Sequence, residues 1–131
     1  MEKSYSVVAD LAAPAARYSH AVRVGFADGA LVFVCGQLSL NANGEVVGGR
    51  DIAAQADQAF RNLATVLEAN GASMSDVVQT TTYMTDISGL AAVNEVRAKH
   101  FPANSPTSTT VEVAALASPD LLIEVEAIAA V

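Results

Sequence analysis

At 131 residues, 52% of them hydrophobic, the chain has the length of one domain and enough apolar side chains to build a core of its own. A net charge of −7, with only seven Lys and Arg scattered along the chain, excludes the continuous basic surface that nucleic acid needs. There is no basic-then-apolar leader and no apolar run of membrane-spanning length, and the lone Cys35 has no partner for an internal disulfide. These features predict one domain over residues 1–131, in a reducing cytoplasmic setting, with neither membrane nor nucleic acid as a partner. The apolar content also hints at surface covered by another subunit.

No element is assigned to the Ala-rich Met1–Ala16 end. "HAVRVGFADGALVFVCGQLSL" reads as a hairpin of two strands, Ala21–Val24 and Ala30–Leu38, turning around Asp28-Gly29, residues that tolerate positive φ. The turn residues Asn43-Gly44 and Gly48-Gly49 follow. In "DIAAQADQAFRNLATVLEANG" the residues Ile52, Ala56, Phe60, Leu63 and Leu67 recur at helical spacing, with Asp51 as N-cap and Asn70-Gly71 as the stop. "DVVQTTTYMTD" is β-branched and reads as a strand. "LAAVNEVRAKHF" sets Leu90, Val93, Arg97 and Phe101 along a second helix ended by Pro102 and Pro106. "TTVEVAAL" and "LLIEVEAIA" are two further strands, separated by Ser118-Pro119-Asp120.

The order ββ-α-β-α-ββ predicts an α+β fold, a mixed sheet with two helices on one face. Alternation then puts Val111, Val113, Ile123 and Val125 under the helices and sends Glu112, Glu124 and Glu126 to the opposite face, which is either wetted or a cleft. Neither His20 nor His100 has a second ligand at metal spacing, and no phosphate loop, Ser-His-Asp order or nucleotide fingerprint occurs.

Taken together, "RYSHAVRVG", "LVFVCGQL", "GEVVGG", "VVQTTTYMTDISGLAAVNEV", "TTVEVAAL" and "IEVEAIA" resemble, in one order from about Ala15 to Val131, the RidA or YjgF-like family of reactive-intermediate deaminases. The resemblance implies a chorismate-mutase-like fold assembled as a homotrimeric barrel with small-molecule clefts between subunits. It also implies hydrolysis of enamines and imines to a carbonyl compound and ammonia, without metal or cofactor. A ribonuclease role is sometimes attached to the family; the acidity of this chain speaks against it.

Carried over residue by residue, the resemblance makes Glu124 the group that positions or activates water and Tyr18 the aromatic that reaches the ligand. Cys35, Gly36, Asn94 and Ser108 fall at ligand-contacting positions. Without the resemblance, Tyr18 reads equally as a packing aromatic, Asn94 as a surface residue, Cys35 as a buried structural thiol and Glu124 as a solvated strand residue. "SPTSTTVEV" departs from the family pattern of Pro-Ala-Arg before Val-Glu-Val: Pro106 matches, Thr107 stands for Ala, and Ser108 replaces the carboxylate-clamping Arg. A hydroxyl in place of a bidentate guanidinium loses on the order of 2–4 kcal/mol of binding to a carboxylate. Arg17, beside Tyr18, either replaces that clamp or is simply solvated. Two functions stay open: hydrolysis of small imines, enamines or related carbonyl compounds with altered substrate preference, and non-catalytic trimeric ligand binding or regulation.

Overall fold

The computed structural model describes Met1–Val131 and is built from six strands and two α-helices. In chain order these are β1 (Glu2–Ser6), β2 (Ala21–Phe26), β3 (Gly29–Leu38), α1 (Ile52–Ala69), β4 (Val77–Met84), α2 (Leu90–His100), β5 (Thr107–Glu112) and β6 (Ile123–Ala130). They form one mixed sheet in the order β1-β2-β3-β6-β4-β5, parallel only between β4 and β5. The strand-helix order anticipated from Ala21 onward is present, and β1 is an addition to it. A polar, exposed strand such as Glu2–Ser6 gives no apolar alternation to read; its place comes from pairing with β2.

α1 forms where expected because its apolar residues lie on one stripe and its ends are capped. The Asp51 carboxylate accepts from the backbone N–H of Ala53 and Ala54, and Gly71 after the last turn takes φ +74°. Phe60, Leu63, Val66 and Leu67 are completely buried against Val32 of β3 and Ile123 and Val125 of β6. Each such side chain contributes roughly 1.5–3 kcal/mol when removed from water. Phe60 also meets Phe101 edge-on at 5.9 Å and stacks on His100 at 5.3 Å, which joins the end of α2 to α1.

Two local expectations change. Neither Asp28 nor Gly29 uses positive φ, which is confined to Gly44, Gly48, Gly49 and Gly71. Glycine stands at position 29 because of close approach: a Cβ there would lie 2.6 Å from the Val131 carbonyl oxygen, which also accepts from the Ala30 N–H. The second change concerns β5. Its parallel pairing sets Ser108 beside Thr80, Val111 beside Tyr83 and Glu112 beside Met84. Thr80 and Met84 are buried under the helices, so Ser108 and Glu112 take the helix side, while Val111 stands 40% exposed on the other. Glu112 therefore does not join Glu124 and Glu126; its carboxylate accepts instead from the Ile87 N–H.

The segment between β1 and β2 is fastened by His20. Val8 N–H donates to Nδ1 at 2.8 Å, and Nε2 lies 3.0 Å from the Ala12 carbonyl. An imidazole that accepts at Nδ1 carries its proton on Nε2, so the ring donates to Ala12 and holds both ends of the segment that precedes Tyr18.

Candidate active site

Between Val34 and Gln37 the pairing of β3 with β6 slips, and Cys35 and Gly36 occupy the irregularity. Such a bulge re-aims side chains and opens the ladder. Cys35 and Gly36 here form one wall of a cavity of about 310 Å³, whose other walls include Ala12, Tyr18, Leu38 and Leu121. Tyr18 is half exposed at this opening, and its hydroxyl accepts from the Ala15 N–H at 3.4 Å. The Gln37 side-chain amide donates to the Cys35 carbonyl at 3.2 Å and to Sγ at 3.3 Å, which fixes the thiol in the bulge.

Glu124 reaches this wall from β6. It alternates with the buried Ile123 and Val125 and so stands on the helix-free face, where its side chain lies directly over Gly36. Its carboxylate has no hydrogen-bond donor in the chain. Burial, and secondarily the neighbouring Glu126, raise its pKa above the ordinary carboxyl value. Glu126 in turn accepts a 2.8 Å hydrogen bond from the Tyr83 hydroxyl, and that bond raises the Tyr83 pKa. Burial, with Glu124 and Glu126 beside it, also raises the Cys35 thiol despite the opposing Gln37 bond. The ionisable groups facing one another here are thus acids, and the thiol is held away from the nucleophilic thiolate. A half-dry carboxyl with a raised pKa and unused lone pairs is suited to proton transfer.

The sequence model of the Endoribonuclease L-PSP family matches residues 9–131. The chain belongs to the RidA/YjgF family. A RutC family protein of Pyrococcus abyssi is 40% identical over 88% of this chain and 87% of its own length. A rat 2-iminobutanoate/2-iminopropanoate deaminase is 37% identical over 94% and 88%. Among solved structures, RidA from an Antarctic Psychrobacter superposes with a TM-score of 0.88 at 32% identity, covering 98% of this chain and 99% of that one.

Against the RidA/YjgF expectations, one copy of the chain brings some residues together and leaves others apart. Tyr18, Cys35, Gly36 and Glu124 gather around the β3 bulge. Asn94 is exposed on α2, and Ser108 is exposed on the edge strand with its side chain toward the helix side. Both lie across the sheet from the Glu124 carboxyl, and Arg17 is exposed beside Tyr18. Three residues with clear roles escaped the sequence reading: Tyr83, Gln37 and His20. Tyr83 was legible in principle, since it takes the same strand face as Gln79 and Thr81. Gln37 and His20 were not, because their partners are a bulge and a loop.

No helix is long and apolar enough to cross a membrane.

Proposed function

We propose that the chain is an imine and enamine hydrolase of the RidA type, with Glu124 as its general acid–base. The observation that carries this reading is the Glu124 carboxyl: half-buried, without a hydrogen-bond donor, raised in pKa and set against the cavity wall that holds Tyr18, Cys35 and Gly36. Protonated Glu124 passes its proton to the imine nitrogen. The resulting carboxylate takes a proton from the water whose oxygen adds to the imine carbon, giving a carbinolamine. Return of that proton to nitrogen lets ammonia leave as the carbonyl forms, and the hydroxyl proton restores Glu124. Tyr18 offers a ring against the substrate and a phenolic hydroxyl.

The site is proposed to lie in a cleft between copies of a homotrimer. The helix-free face supports this: Phe33 and Val111 are 41% and 40% exposed there, and Val22, Phe33 and Ile128 line a hollow of about 400 Å³. Ser108 and Asn94 face away from Glu124 within one copy, so they reach a common site only from a neighbouring one. With Ser108 uncharged and the local groups acidic, the preferred substrates are small imines whose recognition does not require a carboxylate. The same lack of a clamp arginine at position 108 supports the alternative, a ligand-binding member without turnover. The location proposed is the cytoplasm.

The test follows ammonia released from imines formed in situ by oxidation of small amino acids and of amines lacking a carboxyl. Turnover of the carboxyl-free imines, lost in Glu124→Gln, is the expected result. Ser108→Arg is expected to raise turnover of the carboxylate-bearing ones, on the order of a hundredfold if the guanidinium recovers the lost clamp. Binding without turnover in both proteins would establish the alternative.

A further inference from the structure

Gly36 has an ordinary backbone conformation, with no positive φ that would demand glycine. What demands it is space. An added Cβ would stand 2.6 Å from Glu124 Cδ, 2.7 Å from Oε2 and 2.8 Å from Cγ, well inside any contact that real side chains make. Gly25, another strand glycine, is different: a Cβ there meets nothing nearer than 3.8 Å. On β4, Tyr83 pairs opposite Glu124 and donates to Glu126, and Cys35 adjoins Gly36 in the bulge.

We propose that Gly36 is a positioning residue, whose missing side chain is the clearance in which the Glu124 carboxyl lies. The bulge supplies the clearance and the glycine keeps it empty. A methyl group at this position leaves the backbone undisturbed but pushes the carboxyl outward, away from the strand surface and the Gly36 wall it rests on. The Gly36 backbone is itself a wall of the Glu124 carboxyl.

The inference rests on the reading of Glu124 as general acid–base, and its test separates the two. Carboxyl carbons of the glutamates are followed by NMR titration in wild type, Gly36→Ala and Gly25→Ala, with Glu124→Gln assigning the Glu124 signal. In Gly36→Ala the Glu124 midpoint is expected to fall toward the ordinary glutamate range, and kcat for imine hydrolysis to drop about a hundredfold with the alkaline limb of its pH profile, where the required Glu124 proton is lost, shifted the same way. Gly25→Ala should change neither. An unchanged Glu124 midpoint in folded Gly36→Ala overturns the proposal, whatever the activity. Should Gly36→Ala fail to fold, Gly36→Ala with Glu124→Ala removes the clash and is expected to recover the fold; persistent unfolding of that double variant also overturns it. Full hydrolysis by Glu124→Gln would instead remove the catalytic reading, while the titration still judges the clearance.

Discussion

At the residue scale, the position of Glu124 has a thermodynamic signature separate from catalysis. Its folded pKa lies above the ordinary value, so the folded state prefers the protonated form. The stabilising contribution is therefore complete below the ordinary value of 4.5 and is lost as pH rises through the folded-state pKa. Glu124→Gln keeps the shape without the charge. Melting temperatures of the two proteins should converge below pH 4.5 and separate in favour of the Gln variant toward neutrality; a constant difference across that range would contradict the burial argument. The site was partly legible in the sequence: alternation alone placed Glu124 and Glu126 on the helix-free face. The contact with Gly36 was not, because it depends on a bulge whose extra residue leaves no mark in a period-two pattern. Arg97 shows a further limit. Its spacing sets it along α2 with Leu90, Val93 and Phe101, and the structure turns it inward, with the guanidinium 5.5 Å from the Phe60 ring and donating to the Thr80 and Thr82 hydroxyls. Nothing in the spacing showed that its Nε would be buried without a partner, which costs about 1–3 kcal/mol.

At the element scale, α1 is joined to the sheet by polar contacts as well as by its apolar stripe. Gln55 is fully buried near its start, where the side-chain amide donates to the carbonyls of Gly49 at 2.6 Å and Asp120 at 2.8 Å and accepts from Leu122 N–H at 2.9 Å. That fork ties the loop before α1 to the entry of β6, next to the Glu124 position. Gln55→Leu keeps most of the volume and strands three backbone groups, so a loss of about 3 kcal/mol in urea unfolding is expected, with little change in slope. A loss below about 1 kcal/mol would show that water replaces the fork. The hydrophobic periodicity of α1 and its two end signals made this helix readable to within a residue. β5 was readable as a strand but not in phase. Its residues "TSTTVE" offer a single apolar side chain, and only pairing with β4 decides which face that residue takes. Hydroxyl-rich edge strands carry too little hydrophobic contrast to fix their own orientation.

At the scale of the whole molecule, the uncovered sheet face sets the expectation of assembly. Light scattering at micromolar concentration should return three times the 13.5 kDa of one chain. A charge introduced at the centre of that face, Phe33→Lys or Ile128→Glu, should shift the mass to one chain while the far-ultraviolet circular dichroism stays native. A native-like monomer for the unmodified chain would confine the site to a single copy. The sheet order has a different consequence, for the way the chain reaches its structure. β6 lies between β3 and β4 and so bridges two otherwise separate strand groups, β1-β2-β3 and β4-β5, yet it follows every other strand in the sequence. During synthesis the apolar stripe of α1 is complete long before Ile123 and Val125 exist to cover it. Until those residues leave the ribosome, the nascent chain exposes that stripe together with the open edges of β3 and β4, the features that recruit chaperones or promote aggregation. A chain stopped at Leu122 would hold all of α1, α2 and five of the six strands and still be sensitive to protease along its length, because the strand that closes the sheet is the one that arrives last.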